Sequence, residues 1–153
     1  MIRITRNGDN LEIKNVVCFL VSNEVPLPYE EVKKLKEEDW SYQDYLTVAC
    51  HKLKYNLIWL NKKFVQCIYK DDVISVDDPT TDVHVSFNKD NVKDTIIFQG
   101  QANDKPGVNY EILLRAFEYM KFYMLNTFDE IRIASDKILS ANLLASKGIP
   151  QPN

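Results

Sequence analysis

Val16-Val17-Cys18-Phe19-Leu20-Val21 is apolar at every position, and no other stretch constrains the fold as strongly. Successive side chains of a strand point to opposite faces of its sheet. A run without a polar position therefore needs cover on both faces, the situation of strands in a parallel sheet flanked by helices. Leu57-Ile58-Trp59-Leu60 and Thr95-Ile96-Ile97-Phe98 read as further strands of this kind. Between them lie helical patterns. Tyr42, Tyr45, Leu46, Ala49, Cys50 and Leu53 form one stripe behind Ser41, a suitable N-cap. A second helix is expected over about 109–122, packing Leu113, Leu114, Phe117 and Met120, and a last one over about 136–147, stopped by Gly148 and Pro150.

The intervening segments read as antiparallel decoration. Residues 1–13 alternate around Asn7-Gly8-Asp9-Asn10, a small hairpin. Phe64–Tyr69, Val73–Val76 and Val83–Phe87 are three more strands, and Tyr29–Asp39 is a short charged helix turning Val32 and Leu35 inward. The expected fold is α/β: a mostly parallel sheet flanked by helices, with an antiparallel hairpin insertion.

At 153 residues and 45% hydrophobic content the chain suits one domain with a sizeable core. A net charge of −3 gives no electrostatic footprint for nucleic acid. No apolar run approaches a membrane span, and Met1–Arg6 lacks the apolar region of a signal peptide. Cys18, Cys50 and Cys67 are scattered in apolar surroundings, which points to a reduced, cytoplasmic chain.

Several chemistries find little support. His51 follows Cys50 directly, and adjacent helical positions do not face one another, so neither a zinc site nor a Cys–His pair is indicated. Asp71, Asp72, Asp77, Asp78 and Asp82 lack the spacing of a calcium loop and read as a solvated segment. No glycine-rich phosphate cradle occurs. In doubly wound sheets ligands sit at the carboxyl ends of the strands, where the strand order switches. That rule points to Ser22 and Asn23 after the first buried strand, and to Gln99 and Gln101 after Phe98, as substrate-binding candidates. The plainer reading is that these polar residues only end strands.

From Tyr110 onward three motifs occur in order: Tyr110-Glu111-Ile112-Leu113-Leu114-Arg115-Ala116-Phe117-Glu118-Tyr119-Met120 leading to Leu125-Asn126, then Ala134-Ser135-Asp136-Lys137, then Leu143-Leu144-Ala145-Ser146-Lys147-Gly148-Ile149-Pro150. Together they resemble ATP-grasp ligases, in particular the RimK-type glutamate ligases and glutathione synthetases. The resemblance implies a Rossmann-like pre-ATP-grasp domain over residues 1–130 and the first helix of a truncated ATP-grasp module over 131–153. Such enzymes activate a carboxylate with ATP and magnesium and join it to an amine. Lys137 is then the cofactor-binding residue near the nucleotide phosphates, and the chain helps bind a peptide or small carboxylate or amine substrate. It is not catalytic alone, because the magnesium ligands lie in the missing module. A homo-oligomer fits the resemblance; nucleic-acid and membrane partners do not. The alternative is a stand-alone protein-interaction module presenting its hairpin strands and the 71–82 segment.

Overall fold

A computed structural model describes residues 3–6, 9–20, 24–98 and 108–150. The opening hairpin pairs β1 (Arg3–Arg6) with β2 (Asp9–Glu12) antiparallel. β3 (Asn15–Leu20) is the apolar run, and it lies between two parallel neighbours, β4 (Asn56–Asn61) and β8 (Thr95–Phe98). A two-residue strand, β9 (Tyr123–Met124), extends the sheet beyond β8. The order is β4-β3-β8-β9, so the chain runs outward from β3 on one side before crossing to the other.

Both faces of β3 are covered, as its sequence requires. Val17 and Phe19 join Ile58, Leu60 and Ile97 in a core completed by α3 (Val108–Tyr119) through Leu113, Leu114 and Phe117. The alternate residues Val16 and Cys18 join Ile96 on the opposite face, against Leu46 and Cys50 of α2 (Tyr42–Leu53). Period-two alternation thus sends neighbouring apolar residues into two different cores.

A second sheet, of order β5-β6-β7, is antiparallel: β5 (Gln66–Lys70), β6 (Val73–Asp78) and β7 (Val83–Phe87). Asp71 and Asp72 both have positive φ, which makes the β5–β6 link a two-residue turn of type I′. This sheet packs on α3 and adds Ile74, Val76 and Phe87 to the first core. Phe87, Phe117 and Phe122 meet edge to face, with centroids 5.0–6.1 Å apart.

Three expectations need correction. In α2 the buried positions are Asp44, Val48 and Cys50, whereas Tyr42, Tyr45 and Leu53 are exposed. The cause is the preceding segment. α1 (Tyr29–Val32) packs against α2, and a 3-10 turn at Glu37–Asp39 receives the Tyr45 hydroxyl, so the helix is rolled away from its tyrosine stripe. Val32 is fully buried, but Leu35 is exposed. Finally, Asp78 is not solvated. It is fully buried at the end of β6, where its carboxylate accepts the Asn61 N–H and both the N–H and hydroxyl of Thr80.

Beyond β9, α4 (Phe128–Ser135) docks on α3. Arg115 lies 4.5 Å from the Phe128 ring and bonds Asp129, and Glu118 accepts the Phe128 N–H. α5 (Lys137–Ser146) follows at once and packs against α4. No helix among the described residues is long and apolar enough to cross a membrane.

Candidate functional site

The sheet order places the carboxyl ends of β3 and β8 side by side, with Cys18 opposite Phe98. The helices that follow, α2 and α3, pack on opposite faces of the sheet, the arrangement that opens a crevice in doubly wound folds. Ser22, Asn23, Gln99 and Gln101 themselves lie outside the described residues.

Described residues at the same edge form a buried polar cluster. The Lys62 N–H donates to the Leu20 carbonyl at 3.3 Å and carries the β3–β4 pairing one step past Asn61. Lys62 is only 3% exposed, and its ammonium stands 5.3 Å from the centroid of the Tyr110 ring. Tyr110 occupies the first turn of α3 and meets Phe19 edge to face at 5.0 Å. Burial pushes its phenol well above the usual range, so the hydroxyl stays protonated at any physiological pH. Asn61 and Asp78 complete the cluster. Asp78 accepts the Asn61 N–H, while the Asn61 side-chain oxygen accepts the Lys63 N–H at 2.9 Å.

Sequence reading missed Lys62, because Asn61-Lys62-Lys63 looks like an ordinary polar turn between two strands. The available signal was its position: the first cation after the second parallel strand falls at the sheet's carboxyl edge. The ammonium thus places a positive charge against an aromatic face with little water around it, just beneath the carboxyl edge.

Lys137 is remote from this cluster in the chain and opens α5. It is exposed, and Asp136 before it is the N-cap, accepting the N–H groups of Ile138 (2.9 Å) and Leu139 (3.0 Å). Two first-turn amides that could hold an outside anion are therefore engaged by the chain's own carboxylate.

The two histidines have different surroundings: His51 lies on α2, whereas His84 lines a cavity of about 550 Å³ with Cys67, Ser75, Asp77 and Ser86. His51 stacks on Tyr29 with centroids 3.5 Å apart, on the side of α2 away from Cys50, which joins the sheet core. His84 contacts Asp77 directly across β6–β7, and its other nitrogen is 3.8 Å from Asp82. The hydroxyls of Ser75 and Ser86, on the same face, bond each other at 3.3 Å. Burial raises the Cys18, Cys50 and Cys67 thiols, with Cys50 adding to the effect at Cys18, so none is poised as a thiolate. Among the described residues no group of three or more His, Cys, Asp or Glu side chains could hold a metal ion.

Comparison with family models, curated proteins and solved structures yields no match.

Proposed function

We propose that the chain is the N-terminal, Rossmann-like domain of an ATP-dependent carboxylate–amine ligase, followed by the first helix of its ATP-grasp module. The observation that carries this reading is α5. It is rich in Ile and Leu yet buries no residue: Ile138 is 74% exposed, and Leu139, Leu143 and Leu144 are all exposed. A helix with apolar side chains all round belongs in an interior, and here that interior is the nucleotide-binding module. The sheet order gives further support, since β4-β3-β8-β9 is the 2-1-3-4 order of a doubly wound fold with its switch between β3 and β8.

In this reading the substrate lies over the carboxyl edge. Lys62, seated on Tyr110, adds a buried positive charge beneath this edge, and Ser22, Asn23, Gln99 and Gln101 are the substrate-binding candidates in this reading. On the resemblance, the magnesium and adenine sites belong to the ATP-grasp module that would follow. ATP supplies the phosphoryl group that activates the carboxylate for attack by an amine. Lys137, exposed at the start of α5, contributes positive charge toward the phosphates.

The coding sequence beyond Asn153 tests the reading. It is expected to continue with a glycine-rich loop and acidic metal ligands, and a stop codon directly after Asn153 would contradict it. With the present chain, calorimetry with magnesium and ATP should show no binding tighter than about 1 mM. A second reading, a protein-interaction module, is favoured by one observation: among the described residues β5 pairs with a strand on one side only.

A further inference from the structure

No further inference is drawn: the strongest candidate, the cavity on the antiparallel sheet where His84 lies with Asp77, Ser75 and Ser86, carries nothing, because both imidazole nitrogens face carboxylates, the two serine hydroxyls bond each other, and nothing among the described residues shows what covers it.

Discussion

α3 and α5 are similar in length and both rich in apolar residues, yet they have opposite fates. α3 buries Tyr110, Leu113, Leu114, Ala116 and Phe117 between the two sheets. α5 carries Ile138, Leu139, Leu143 and Leu144 and buries none of them. The contrast separates two meanings of a hydrophobic helix. In α3 the apolar face has a partner within the described fold, and the helix links the parallel and antiparallel sheets. In α5 the local chemistry of a helix is complete, with Asp136 capping it and Gly148 at φ 74° after its end, but its contacts with α4 bury none of its residues. The described residues thus hold one helix buried between two sheets and one that rests on α4 with its apolar side chains exposed.

A pair of truncations would break that contrast most sharply. Phe117→Ala removes a fully buried ring that packs on Phe87 and Phe122, and should cost about 3–5 kcal/mol in urea unfolding. Leu143→Ala in α5 should change stability by no more than about 0.5 kcal/mol. Equal losses at the two sites would show that α5 is seated after all. Next in size, Asp78→Ala orphans the Asn61 and Thr80 N–H groups between the carboxyl edge and the antiparallel sheet, an expected loss of about 2–3 kcal/mol. A neutral result there would detach the insertion from the crevice it abuts.

The first of these contrasts was partly legible in the sequence. The uninterrupted run of β3 implied cover on both faces, and Leu113, Leu114 and Phe117 sit in the core as their spacing indicates. The boundaries of α2 and the cap at Ser41 were equally readable, because capping depends on residues three or fewer apart. What stayed hidden depends on tertiary partners. The face α2 buries is decided by α1 and the turn before it, which no periodicity within α2 reports. α4 is only eight residues long, too short for a clear stripe, although Thr127 and Glu130 form a capping box that marks its start. Asp78 and Lys62 look like solvated charges until β6 and the end of β4 bring them inside. Of the predicted crevice residues, Ser22, Asn23, Gln99 and Gln101, the sheet establishes that the strands leading to them are neighbours.

The smallest effect concerns pH and the rim of the antiparallel sheet. Lys89 and the Tyr69 hydroxyl beside Asp72 hold its carboxyl below the ordinary aspartate value of 3.8. A carboxyl depressed in the folded state stabilises it above the unfolded value, and that contribution disappears as pH falls through the folded one. Asp72→Asn should therefore flatten the stability profile slightly on the acid side of pH 4, with no change at neutrality beyond the lost ion pair. An unchanged acid profile would show that the Asp72–Lys89 contact has no thermodynamic weight.

Hydrogen exchange along the chain tests the central claim most directly, because it reads α3 and α5 in one experiment. Backbone amides of Leu113, Leu114 and Phe117 should open only with global unfolding, whereas those of α5 from Ser140 onward should exchange by local fraying, at least about a hundredfold faster. In a chain continued past Asn153 by its own coding sequence, the α5 amides should gain protection comparable to α3. Protection of α5 equal to that of α3 in the present chain would contradict the account, since it would mean that the helix already has its partner.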